Sequence, residues 1–295
     1  MYKIFGFVIS LIFAFNSNAQ SIVNDSATTS SDNTGMTFYS LQTGQKTVTT
    51  NNDWHIAVSI RTTLFPDNTL QGTTIRINEA FGVQAYVIPS FTADSFYVSV
   101  DTSGFRSWQR IHDSDSVLDQ GAFNTGKNIA VFNYGWGVYT GPPNHNVNGN
   151  KMYLLQLPNR SLKKVWIQEL DRDTAWDIKV ANLDNSNLET LHFAKATYAG
   201  KNFVYINLLN NAVLDKEPLS TDWDLQFLQY AASDIKPGQA TPAVGVLANK
   251  GATIAKREYA DVSGNNYNQL TFSTSMNTIG WNWKYLLNNQ QFISG

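Results

Sequence analysis

Apolar and polar residues alternate along most of this chain with a period of two. Over residues 53–60, DWHIAVSI, the side chains of Trp54, Ile56, Val58 and Ile60 share one face and His55, Ala57 and Ser59 the other. That pattern predicts a half-buried strand with His55 turned to solvent. Similar runs predict strands at 37–41, 73–77, 83–88, 96–100, 128–134, 152–157, 164–168, 176–180, 203–208, 223–227, 244–247, 270–272 and 281–287. Turn residues separate them, among them Pro66-Asp67-Asn68, Gly141-Pro142-Pro143 and Lys236-Pro237-Gly238,. No window carries a helical stripe over three turns, and a single helical turn is expected at 90–96. The expected fold is all-β, built from antiparallel meanders.

The alternation repeats. Tyr39-Ser40-Leu41 is followed by Asp53-Trp54 and an alternating run, and Tyr205-Ile206-Asn207-Leu208 is followed by Asp222-Trp223 and another. Gly135-Trp136 and Gly280-Trp281 form a second anchor pair. The chain therefore reads as two tandem related antiparallel β units, 36–198 and 199–295. The second has no counterpart of the hairpin at 152–168 and is expected to be truncated. Each Asp-Trp pair is read as a core-anchoring indole behind a turn.

At the N-terminus, Lys3 precedes an apolar run over 4–15 and the small-residue exit Asn18-Ala19-Gln20. This is the form of a secretory signal peptide, residues 1–20. A polar linker, 21–35, follows it. No other apolar run reaches membrane length, so the mature chain is expected to lack a transmembrane segment and to be secreted or held at the outer cell surface. Charged residues make up only 15% of the chain, and 21 basic against 23 acidic side chains leave a formal net charge of −2. That balance does not suit a nucleic-acid partner. The absence of cysteine excludes disulfides, thiolate metal sites and a lipid-modified N-terminal Cys,.

The Tyr-x-Leu, Asn-Asp-Trp-x-Ile-x-Val and later Gly-Trp pattern, with a Leu157-Pro158-Asn159 turn between strands, resembles the HmuY-like haem-binding family. The resemblance covers 37 to about 198 once and 202 onward in part. It implies a secreted or surface β-protein that captures haem without catalysis. Haem iron takes axial imidazole or thioether donors. His112 and His145 fall in expected loops, 33 positions apart by subtraction (145 − 112). They can be read as an axial pair, with Trp108 or Tyr139 packing on the porphyrin, or as two plain loop histidines. His192 reads as a sheet residue, and Met36 and Met152 as core fillers. Asp113-Ser114-Asp115, with Asp119, resembles part of a calcium loop but lacks the Gly and distal Glu. The acids Asp171, Asp173 and Asp177 read as a solvated turn. No nucleophile elbow, phosphate loop or zinc motif is present, so no enzyme is expected. The alternative is a secreted adhesion or glycan-binding protein that stacks sugars on Trp108, Trp136, Tyr139, Trp281 or Trp283, although Trp136 and Trp281 read better as core.

Overall fold

The structure is a computed structural model and describes residues 24–62, 71–127, 132–236, 239–256, 270–286 and 292–294. The expected signal peptide and parts of the strands expected at 128–134 and 281–287 lie outside the described residues.

In chain order the strands are β1 (Gly35–Tyr39), β2 (Lys46–Thr50), β3 (Ile56–Ser59), β4 (Ile75–Ile77), β5 (Gln84–Val87), β6 (Arg110–Ile111), β7 (Gly137–Tyr139), β8 (Val147–Gly149) and β9 (Tyr153–Gln156). They continue as β10 (Leu162–Asp171), β11 (Ala175–Asn182), β12 (Glu189–Ala194), β13 (Phe203–Asn207), β14 (Ala212–Leu214), β15 (Leu225–Lys236), β16 (Gln239–Ala248), β17 (Lys284–Leu286) and β18 (Phe292–Ser294). The only helices among the described residues are 3-10 turns of three or four residues, and none is long and apolar enough to cross a membrane. The all-β expectation holds, and every ladder is antiparallel. Two expected strands are not strands. Residues 94–97 form a 3-10 turn, closed by reciprocal bonds in which Thr92 N donates to Ser95 Oγ (2.9 Å) and Ser95 N to Thr92 Oγ1 (3.2 Å). Around 270–273 there is only the isolated bridge Ile254–Ser273.

Three layers result. A sheet ordered β16-β15-β1-β2 lies on a sheet ordered β14-β13-β3-β4, which lies on an eight-stranded curved sheet running β12-β11-β10-β9-β5-β6 with β7 and β8 attached. The middle sheet is buried on both faces. Ile56, Val58, Ile75, Ile77, Val204 and Ile206 face the large sheet and join the core of Trp136, Trp176, Tyr153 and Phe123. Ala57, Phe203 and Tyr205 face the first sheet and meet Met36, Phe38, Leu228, Tyr230 and Leu247. The all-buried β3 follows from this position: its small residues Ala57 and Ser59 are not a solvent face but a second packing face.

Strand pairing crosses the boundary expected at 198/199. β1 pairs with β15 and β3 with β13, so the two segments share sheets instead of standing one after the other. The two four-stranded sheets use one wiring twice: exchanging β1, β2, β3 and β4 with β13, β14, β15 and β16 turns one strand order into the other. The match extends to single bonds. Asn78 Nδ2 donates to the carbonyls of Asn51 and Trp54, and Asn249 Nδ2 to those of Ser220 and Trp223. Leu208 N donates to His55 Nδ1 at 2.9 Å, and Leu41 N to Asp224 Oδ2 at 2.7 Å. Edge-to-face pairs Trp54–Tyr205 (5.1 Å, 70°) and Trp223–Phe38 (5.0 Å, 69°) occupy matching places. The matching partner of Tyr205 is thus Phe38, one position before the Tyr39 that the sequence pattern suggests.

Residues 24–34, part of the expected linker, pack onto β1. Thr37 Oγ1 donates to Thr28 O (2.6 Å) and Tyr39 OH to Asp25 Oδ2 (3.0 Å).

Candidate ligand cleft between the two small sheets

The two four-stranded sheets do not close completely on each other. A cleft with about 90 Å³ of free space lies between them. Met36, Leu228, Tyr230 and Leu247 line it from one sheet and Ala57, Phe203 and Tyr205 from the other, with Trp54 and Met276 beside them. Matching positions of the two sheets line it in pairs, Met36 with Phe203, Ala57 with Gln226 and Arg76 with Leu247, so the cleft straddles the relation between them. The chemistry breaks the likeness: where one sheet has Leu247, the other has a guanidinium.

Arg76 spends that guanidinium on the rim. Its Nη2 donates to Ser114 O (2.6 Å), and its Nη1 to Leu118 O (3.0 Å) and Val117 O (3.3 Å). Residues 113–119 thereby form a strap along the cleft. Asp113 accepts Ile77 N (3.0 Å) and Ala122 N (2.7 Å), Asp115 accepts Ser233 N and Oγ (2.9 Å each), and Ser116 O accepts Met276 N (3.0 Å). Asp119 pairs with Arg61 and Lys250. The acids that look like part of a calcium loop therefore tie β4 to β15. Among the described residues no group of three or more His, Asp or Glu is placed to hold a metal ion. Burial raises the Asp113 carboxyl to about 7 against the pull of Arg76.

Two tyrosines stand apart from this economy of paired groups. Tyr205 and Tyr230 are more than nine-tenths buried and line the cleft from opposite sheets. Neither hydroxyl has a hydrogen-bond partner among the described residues. Burial raises both phenols well above their ordinary value, with Glu217 adding to the effect at Tyr205 and Asp115 at Tyr230. Both remain O–H donors at neutral pH.

The expected haem residues are not gathered. His112 directly follows β6, where Nδ1 lies 2.7 Å from Oε1 of the buried Glu79, whose Oε2 accepts Asp113 N at 3.1 Å. His145 sits in the β7–β8 turn, where its Nδ1 bonds to Tyr139 OH. The registers Ile111–Ala85–Leu155–Lys163 and Val147–Leu170 put the two histidines about ten residues apart along β10 and about two strand widths across it. That is a separation on the order of 30 Å at about 3.3 Å per residue and 4.8 Å per strand. Loop motion does not bring imidazoles from that distance onto one iron, so the residues present do not fit the expected axial pair. Trp108 packs edge-on against Phe105 (6.4 Å) over the outer face of the large sheet. Only Tyr139 and His145 of the four meet, and their ring centroids are 5.9 Å apart.

His55 is buried, not solvent-facing. Its Nδ1 accepts Leu208 N, and burial lowers its pKa to about 4, so it is a neutral structural acceptor. His192 is an exposed strand residue, 2.7 Å from Asp177. Asp173 is buried against Lys195, whose pKa falls to about 8 through burial; it is not the solvated turn acid expected. The cleft residues carry no local motif. The one signal within reach was Arg76, a charge in the middle of the apolar run Ile75-Arg76-Ile77.

No family model, curated protein or solved structure matches this chain.

Proposed function

We propose that this chain is an exported, non-enzymatic binding protein that seats its ligand in the cleft between the two four-stranded sheets. The observation that carries the proposal is the pair of buried tyrosine hydroxyls facing an apolar space without partners. Buried polar groups are ordinarily satisfied, and an apolar cavity with a few polar groups aimed into it is the common form of a small-molecule site. The acids around the cleft are engaged in backbone and ion-pair contacts, which favours binding over catalysis. The HmuY-like resemblance implies haem, but a tetrapyrrole far exceeds this space and the two candidate histidines stand apart, so a small ligand is the better reading.

The test is ligand-observed NMR with a library of small fragments, on the wild type and on Ala57→Leu, which fills the cleft. Hits lost in the variant, with an unchanged circular dichroism spectrum, support the proposal. Hits that persist in Ala57→Leu, or a Soret shift with haemin that His112→Ala or His145→Ala removes, overturn it. A glycan-binding reading has one observation of its own: Phe132, Tyr139 and His145 form a partly exposed ring row at the β7–β8 hairpin, with centroids 5.4 and 5.9 Å apart. Glycan-array binding abolished by Tyr139→Ala would favour it.

A further inference from the structure

The proposed cleft has a size, a polarity and a charge state, and together they restrict what it takes. We infer that its ligand is a compact, uncharged molecule with a ketone or alcohol oxygen on a short branched or cyclic apolar body, the oxygen accepting from Tyr205 or Tyr230. The inference rests on the binding reading above and names the class of its ligand.

Size comes first. A dry protein cavity of about 150 Å³ holds benzene. The 90 Å³ here therefore encloses a body on the order of four heavy atoms by that scale. The walls set the polarity of that body. Met36, Leu228, Leu247, Met276 and Phe203 offer only dispersion contacts, and all are buried.

Charge is excluded by pairing. A buried ion needs a counter-ion or several hydrogen bonds to offset its desolvation. The candidates for that role are already committed. Arg76 is held by three strap carbonyls, Asp113 by two backbone N–H groups and Asp115 by Ser233. Glu79 is held by His112 and the Asp113 N–H. An anion entering here would have to take Arg76 from the strap, and a cation would have to take an acid from the backbone. The groups left over are two phenolic O–H groups on opposite walls. A phenol donates well to a carbonyl or hydroxyl oxygen and offers nothing to an ammonium that water does not offer better.

Saturation-transfer NMR on the full mature chain tests the class with 2-butanone and isobutanol against the charged probes butyrate and butylammonium, and xenon NMR tests the cleft itself. The expected result is transfer to the ketone and alcohol, none to the two ions, and affinity about fivefold weaker in Tyr205→Phe or Tyr230→Phe, the equivalent of one hydrogen bond. Neither variant should change the melting temperature, because neither hydroxyl has a protein partner to lose. If butyrate or butylammonium competes with 2-butanone, or if both Phe variants bind the ketone as the wild type does, the inference is overturned. Xenon separates the two levels. Xenon shifts that Ala57→Leu abolishes, without tyrosine-dependent ketone binding, leave the cleft standing and remove the ligand class. If xenon shifts are the same in wild type and Ala57→Leu, the cleft is closed and the binding reading falls with the inference.

Discussion

Replacing Asn78 by Ala removes an amide that donates to the carbonyls of Asn51 (2.7 Å) and Trp54 (3.1 Å). Replacing Asn249 by Ala removes the matching bonds to Ser220 (2.7 Å) and Trp223 (2.8 Å). Both asparagines are at least 95% buried, so water does not freely replace them. A net hydrogen bond contributes about 1 kcal/mol, and an orphaned buried acceptor costs about 1–3 kcal/mol. The Asn78 variant should therefore lose about 2–3 kcal/mol. Asn249 also accepts, through Oδ1, from Asn202 Nδ2 (2.9 Å) and Lys250 N (2.7 Å). Its loss should exceed that of Asn78 by about 1–2 kcal/mol. Urea unfolding followed by far-UV circular dichroism measures both, with an unchanged m-value as the check that the unfolded states are comparable. The reasoning is that one hydrogen-bond pattern closes both sheets where the strand returns to the Trp turn. A loss under about 0.5 kcal/mol for either variant, within the scatter of ordinary surface changes, would refute it, as would a larger loss for Asn78 than for Asn249.

Three further outcomes follow from the same contacts. Burial raises the carboxyls of Asp113 and Glu217 to about 7, so the folded state binds protons that the unfolded chain has released. Their contribution is present at low pH and is lost as pH rises through about 4 to 7, at up to about 1.4 kcal/mol per unit for each group; Glu217→Gln should flatten that fall in urea titrations run at several pH values, and an unchanged slope would count against it. Replacing Arg76 by Leu, the residue at the matching position 247, orphans three strap carbonyls and should cost about 3 kcal/mol by the same accounting, with faster amide exchange over 113–119; exchange that stays slow there would show the strap does not depend on Arg76. Trp223, 6% exposed, should cost about 3–5 kcal/mol on truncation to Ala, and the half-buried Trp54 less; equal losses in thermal melts would contradict the difference in burial.

How far the sequence discloses this molecule depends on whether a property is local. Period two is local, and β3, β9, β11 and β13 could be read from it. The face that alternation exposes is not local. In β3 the second face carries Ala57, Ser59 and the adjoining His55, small or polar residues that look solvated, yet a whole sheet covers them. A strand between two layers differs from an edge strand only in what packs on it, so His55 was assigned to water when it is a neutral acceptor for Leu208 N. The opposite failure occurs at β2, Lys-Thr-Val-Thr-Thr, whose polar residues conceal a strand that the ladder to β1 holds in place. The cleft is less legible still. Its walls come from β1, β3, β4, β13, β15 and β16, and no spacing within one segment encodes their meeting. The histidines were singled out for what imidazole can ligate, and residue type carries chemistry without distance. The tyrosines were passed over because in sequence each is one more apolar position in an alternating run. They acquire a role only when the two sheets place their hydroxyls in a space with no acceptor, which is a property of packing and not of pattern.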